Sequence, residues 1–132
     1  MKNLTLGLLL MLLVASCAPV THLPVSDITP AATIDAKKSQ DKNGNYVISV
    51  DAKDLASPDR LQQGSKSSVY VVWIKTKAGE IKNLGQLKNK NAQKAGLKTI
   101  SAFEPVEIFI TAEDQGNVQY PSGTEITRGT FK

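Results

Sequence analysis

Two side chains stand out as candidates for chemistry, because the chain holds one cysteine, Cys17, and one histidine, His22. A Ser-His-Asp arrangement needs a rigidly placed imidazole. His22 instead lies between Pro19 and Pro24, in a stretch that proline keeps out of helices and central strands. A zinc site needs three or four ligands from His, Cys or carboxylate side chains, and we do not expect one with a single His and a single Cys in the chain. The sequence therefore predicts a protein that is not an enzyme, with no catalytic residue, no metal site and no cofactor.

The run Asp41-Lys42-Asn43-Gly44-Asn45 has some of the residue types of a calcium-binding loop. The EF-hand pattern, however, places glycine sixth and glutamate twelfth. Here Gly44 is fourth and Ala52 is twelfth. Asp, Asn and Gly are also the residues that form tight turns between strands. We therefore interpret the run as a hairpin turn.

The first residues of the chain have the pattern of a secretion signal. Met1-Lys2-Asn3 is a short basic head, and an almost purely apolar run follows from Leu4 to Val14. Small residues come next, as they do before a cleavage site. The apolar run is shorter than the roughly 20 residues that a membrane-spanning helix needs. We therefore predict that this segment directs export.

Val14-Ala15-Ser16-Cys17 resembles the lipobox of bacterial lipoproteins. The resemblance implies that residues 1–16 are a signal peptide cut off before Cys17, and that Cys17 carries acyl chains such as palmitate. An acylated thiol is not free for nucleophilic catalysis, and two or more acyl chains give stable anchoring without crossing the bilayer. Ala18 takes the place of Asp after the cysteine, which by resemblance implies the outer membrane, and we expect the periplasmic face.

Residues 17–31 contain Pro19, Pro24 and Pro30, and we predict that they form an extended tether. The remaining residues, 32–132, suffice for one domain with its own core. Seven short segments of this domain have the alternation or β-branched content of strands. They are residues 33–36, 46–52, 69–74, 81–87, 97–103, 106–112 and 125–132. Their number and spacing predict an all-β, antiparallel sandwich of immunoglobulin-like type, with a small barrel as the alternative.

Residues 68–124 resemble the extracytoplasmic domain of anti-sigma-K factors. The landmarks are Tyr70-Val71-Val72-Trp73-Ile74, then Gly79, Leu84-Gly85-Gln86-Leu87, the run from Phe109 to Gly116, and Pro121-Ser122-Gly123. The resemblance implies a β-sandwich. Anti-sigma factors also have a cytoplasmic sigma-binding segment and a membrane-spanning helix, which we do not find in this sequence. It therefore implies at most an accessory or sensory role in an envelope-stress or anti-sigma-type system.

Positive charge is concentrated in residues 75–98, which hold seven lysines and one glutamate. Such lysines either attract anionic groups near a membrane or keep strands soluble and edges unpaired. Trp73 alternates with Tyr70, Val72 and Ile74, so it lies either in the core or outward, where it would form a ligand platform with lysines. We favour the core, because an immunoglobulin-like sandwich has a buried tryptophan there. The candidate ligand surface is Trp73, Lys75, Lys77 and Lys82.

A second candidate site is the acidic loop with Glu113, Asp114 and Asn117, which could hold a hard cation or simply be solvated.

Nucleic-acid binding is not expected, because the net charge is modest, aromatic residues are few and no nucleic-acid motif is present. The predicted function is a membrane-anchored envelope lipoprotein that acts as a non-enzymatic binding or scaffolding module. Its expected partners are the membrane, through the N-terminal lipid, and an anionic envelope component or envelope protein.

Overall fold

The computed structural model describes residues 18–61 and 67–132. Nine strands cover most of this part of the chain, with one short 3-10 helix at Pro58–Arg60. The strands are β1 Val20–His22, β2 Thr33–Gln40, β3 Tyr46–Lys53, β4 Val69–Thr76, β5 Ile81–Gln86, β6 Lys88–Asn89, β7 Lys94–Ser101, β8 Pro105–Glu113 and β9 Thr124–Thr130. All seven predicted strands are present, and β1 and β6 are additional.

Two antiparallel sheets pack face to face. The five-stranded sheet has the order β1-β2-β3-β7-β6, and the four-stranded sheet has the order β5-β4-β8-β9. Without β1, these orders correspond to strands A-B-E-D and C′-C-F-G of an immunoglobulin-like sandwich. The predicted all-β, immunoglobulin-like sandwich is therefore confirmed.

The main core lies between the sheets and follows the two-residue period of the strands. Alternate residues of β2, β3, β4 and β8 face inward and exclude water. The largest contributors are Ile34, Ile48, Val50, Tyr70, Val72, Ile74, Ile108 and Ile110. On β3 the intervening residues Ser49, Asp51 and Lys53 are polar, whereas β4 is buried on both faces. This difference shows that the outer face of the four-stranded sheet is also covered.

The segment predicted as a tether, residues 17–31, is mostly part of the domain where the structure describes it. β1 pairs with β2, and Leu23 is buried against the main core. The hydroxyl of Thr127 on β9 donates to the carbonyl of Pro24 at 2.7 Å, which closes this segment over the sheet. The prolines do not prevent this, because β1 is a three-residue edge strand between Pro19 and Pro24, and edges tolerate proline.

The predicted hairpin turn after β2 is present. Asp41 accepts hydrogen bonds through its carboxylate from the backbone of Asn43 and Asn45, and Gly44 has the positive φ that the turn requires. Residues 18–61 and 67–132 contain no helix long and apolar enough to cross a membrane. The predicted signal peptide at 1–16 and the predicted lipidation site Cys17 lie outside the described residues.

Candidate functional site

Trp73 lies on the outer face of the four-stranded sheet and is nevertheless fully buried. Its indole ring stacks beside Phe109 of β8, with ring centroids 6.2 Å apart and planes 13° from parallel. Val69, Ile81 and Val118 pack around this pair. The result is a second, smaller core outside the sandwich. Trp73 therefore faces away from the main core and is not the core tryptophan that the sequence favours. It offers no exposed aromatic surface to a ligand either.

The three lysines of the predicted ligand surface are each near an acidic side chain. Each lies within 4.0 Å of an acidic side chain: Lys75 near Glu107 at 3.5 Å, Lys77 near Glu104 at 4.0 Å and Lys82 near Glu80 at 3.0 Å. The Lys82 ammonium also lies 4.7 Å from the centre of the Phe103 ring. Charge on this side of the molecule is thus locally balanced.

The predicted acidic loop divides into a buried residue and two exposed ones. Asp114 and Asn117 face solvent, whereas the Glu113 side chain is almost fully buried at the end of β8. Glu113 accepts hydrogen bonds from the Thr111 hydroxyl, from the Ser122 backbone and hydroxyl, and from the Gly123 backbone at 3.0 Å. These three residues therefore do not form a common cation site.

A hydrogen-bonded chain links Glu113 to the second core. The Trp73 indole N–H donates to the Thr111 hydroxyl at 2.8 Å, and that hydroxyl donates to the Glu113 carboxylate. Burial acts to raise the pKa of Glu113, but hydrogen bonds from Thr111, Gly123 and Ser122 outweigh it and lower the pKa below its ordinary value. The ionised carboxylate is thus held by hydrogen bonds, and its role is to close the loop at residues 114–123.

The loop at residues 114–123 covers the outer face of the four-stranded sheet. The Asn83 side-chain amide donates to the carbonyls of Gly116 and Val118, at 2.9 and 2.8 Å. Val118 packs onto the second core. At the other end, a Cβ on Gly123 would lie 1.7 Å from the Ala112 carbonyl oxygen, so this position has no room for a side chain. These contacts hold the loop in one position over the outer face of the four-stranded sheet.

The outer face of the five-stranded sheet, in contrast, carries polar side chains and many lysines. Residues Ile48, Val50 and Ala52 of β3 point into the main core, so Ser49, Asp51 and Lys53 point outward. The pairing register then places outward lysines of β2, β6 and β7 on the same side. Lys90, directly after β6, also lies there, beside Asp51. We call this surface the basic face: Lys37, Lys53, Lys88, Lys90, Lys94 and Lys98.

Two of these lysines are direct cross-strand partners. Lys53 of β3 is paired with Lys94 of β7, and both side chains are exposed. Like charges directly opposite each other destabilise a sheet. In the described part of the chain, no carboxylate lies within 4.0 Å of either ammonium group. The sheet therefore has two like charges at paired positions, an unfavourable arrangement that Glu at either position would relieve.

Two carboxylates share the basic face, and each already has a partner. Asp35 is bonded to the ring of His22, and Asp51 lies 3.3 Å from the Lys90 ammonium. Lys90 reaches Asp51 across Gly96, where a Cβ would lie 3.0 Å from the Lys90 side chain. With six lysines and two partnered aspartates, the face is strongly cationic.

The lysines border two adjoining, open concavities. One has a volume of about 460 Å³ and is lined by Ser49, Asp51, Lys88, Lys90 and Lys98. The other, of about 480 Å³, is lined by His22, Asp35, Lys37, Lys53 and Lys94, among others. Shallow cationic depressions of this kind suit the phosphate or carboxylate groups of an extended anionic surface better than a small molecule, which requires enclosure.

Within the residues that the structure describes, no cluster of three His, Cys, Asp or Glu side chains is placed to hold a metal ion.

Burial, with a contribution from Asp59, raises the pKa of Tyr70 to about 12, and its hydroxyl donates to the Ala56 carbonyl. That phenol is therefore a neutral structural donor, which fixes the loop after β3.

No family model matches the chain. No curated protein and no solved structure matches it either.

Proposed function

We propose that this protein is an envelope lipoprotein, anchored through acylated Cys17 and facing the periplasm from the outer membrane, whose domain is a non-enzymatic binding or scaffolding module. The anchoring part rests on the lipobox-like run Val14-Ala15-Ser16-Cys17. The binding part is supported by the basic face, on which Lys53 and Lys94 are direct cross-strand partners, an arrangement of like charges that destabilises a sheet.

The observation that carries the proposal is the short distance along the chain from Cys17 to the domain. Strand β1 begins at Val20, three residues after the cysteine. Three residues span at most about 10 Å. An acylated Cys17 would therefore hold the sandwich at the bilayer surface, rather than at the end of a long tether. The module would act on components of the membrane surface or on proteins that lie against it.

Membrane fractionation of cells with the native protein and with Cys17→Ala tests the anchor. We expect the native protein in the membrane fraction, resistant to extraction by high salt. We expect the variant in the soluble fraction or as an unprocessed precursor. Equal distribution of both proteins would contradict lipid anchoring at Cys17.

Co-purification from crosslinked membranes tests the binding surface. Lys53→Glu/Lys94→Glu reverses charge on the basic face, and Lys75→Glu/Lys77→Glu makes the same change where lysines are paired with acids. We expect an anionic component of the membrane surface that the native protein and the second variant capture and the first variant loses. Identical captures by all three proteins would contradict a binding role for the basic face.

A second candidate is an accessory or sensory subunit of an envelope-stress or anti-sigma-type system. It is favoured because the landmarks that resemble anti-sigma-K factors lie on three neighbouring strands, β5, β4 and β8, and on the loop at residues 114–123. An envelope-stress reporter in a strain lacking the protein separates the two candidates. The second candidate is supported if reporter output changes in this strain and returns to normal when the native gene is supplied. Unchanged output under stress contradicts the second candidate.

A further inference from the structure

The basic face and the proposed anchor lie on the same part of the domain. Strand β1 is the edge strand next to β2, and Val20 is paired with Lys37. Lys37 is paired with Ser49, which is paired in turn with Lys98. These four residues form a row across the outer face. The chain from Cys17 thus enters the domain at the level of two of its exposed lysines.

The row on the anchor side of these lysines is less polar. It consists of Ser39, Val47 and Ile100, which are consecutive partners on β2, β3 and β7. Ile100 is 63% exposed, which makes it one of the large apolar side chains that this domain leaves in solvent. An exposed apolar residue beside lysines is the composition of surfaces that lie at a membrane interface.

The outer face of the four-stranded sheet has no comparable excess of positive charge. On its outer face, Arg128 lies 2.6 Å from Glu125 and 3.7 Å from Glu107, and Lys75 lies 3.5 Å from Glu107. The loop at residues 114–123 covers the rest of that face. Only the five-stranded sheet combines unbalanced positive charge with proximity to the proposed acyl chains.

We infer that the basic face lies on the anionic head groups of the membrane in which the protein is anchored, so that the five-stranded sheet faces the bilayer and the four-stranded sheet faces away. This inference rests on the proposed lipid anchor. Each lysine near an anionic surface strengthens binding by about fivefold. The acyl chains hold the domain at the surface, and the lysines set its orientation.

This orientation leaves the loop at residues 114–123 and the exposed Tyr120 directed away from the bilayer. A protein partner would then meet that side of the sandwich. The basic face would be occupied by phosphate groups of lipid.

Lysine labelling on vesicles tests the orientation. The purified lipidated protein is bound to vesicles of phosphatidylcholine, or of phosphatidylcholine mixed with phosphatidylglycerol, and treated with a membrane-impermeant amine reagent. Mass spectrometry then gives the labelling rate of each lysine. We expect Lys37 and Lys98 to be labelled several-fold more slowly on the anionic vesicles. Lys77, near the four-stranded sheet, serves as the internal reference, and its rate should not change.

Salt and two variants complete the test. At 1 M salt the Debye length falls to about 3 Å, and the protection of Lys37 should disappear. Lys94→Glu/Lys98→Glu should also abolish that protection, whereas Lys75→Glu/Lys82→Glu should retain it. Protection that is equal on the two kinds of vesicle, or that both variants affect alike, would overturn the inference.

Vesicle flotation keeps the two proposals distinguishable. A protein that floats with both kinds of vesicle but shows uniform labelling is anchored without the inferred orientation. A protein that fails to float with phosphatidylcholine vesicles lacks a working lipid anchor, and this result would overturn the proposed function together with the orientation that depends on it.

Discussion

Replacing Glu113 with Gln should destabilise the domain, because the carboxylate is built into the structure as an acceptor. Its two oxygens accept hydrogen bonds from Thr111, Ser122 and Gly123. A glutamine amide puts a donor where one acceptor oxygen was, so at least one buried donor loses its partner. Hydrogen bonds to charged groups contribute about 1.5–3 kcal/mol each. We expect Glu113→Gln to lower the free energy of unfolding by about 2–3 kcal/mol.

The pH dependence of this effect follows from the lowered pKa. A carboxyl group whose pKa is lower in the folded than in the unfolded state stabilises the fold above its unfolded pKa. That stability is lost as the pH falls through the folded pKa. The ordinary pKa of Glu113 is 4.5 and folding lowers it. The stability difference between native protein and variant should therefore be largest near neutral pH and shrink below about pH 4.5.

Urea denaturation of a chain beginning at residue 18, which contains all nine strands, measures both effects. Asp114→Asn is the matched control, because it removes the same charge from an exposed neighbour. It should change stability by less than about 0.5 kcal/mol. A Glu113→Gln protein as stable as the control at neutral pH, or a difference independent of pH, would refute the assigned role of Glu113.

Three further predictions concern the covered face of the four-stranded sheet. Gly123→Ala should cost more than about 2 kcal/mol of unfolding free energy, because its Cβ would meet the Ala112 carbonyl. Gly116→Ala should cost much less, because its Cβ meets the flexible end of Gln86; equal costs would contradict the account of the loop. Trp73 should show blue-shifted fluorescence that acrylamide leaves unquenched, and efficient quenching would contradict its burial.

The sequence predicts the sandwich well because local patterns and turns determine it. The alternation in residues 46–52 and the turn at residues 41–45 specify the first hairpin, and both are present. β1 is missed because three residues between prolines carry no strand pattern. It forms because Leu23 has a buried place against the main core, which is a tertiary effect.

Trp73 shows that alternation along a strand predicts which residues share a face of the sheet, but not whether that face is covered. Its alternation with Val72 and Ile74 leaves both faces of the sheet open, and the favoured position in the main core is wrong. Its burial depends on a loop some 40 residues later along the chain, which returns over the sheet and brings Val118 onto the ring. A pattern within β4 cannot contain that information.

The candidate basic surface is only partly visible in the sequence. The run at residues 75–98 is rich in lysine, but its first three lysines are paired with acids near the four-stranded sheet. The later lysines join Lys37 and Lys53, which lie far from them in sequence. The register of the β2–β3 hairpin could have placed those two on one face, but their pairing with β7 depends on the topology of the sandwich.

The measurement that tests the central proposal most directly is the intact mass of the protein purified from cell membranes. The proposal predicts a chain that begins at Cys17 and carries the added mass of a diacylglyceryl group, with a further acyl chain on the amino group. An unmodified chain, or one whose first residue is not Cys17, would contradict lipid anchoring and the orientation inferred from it.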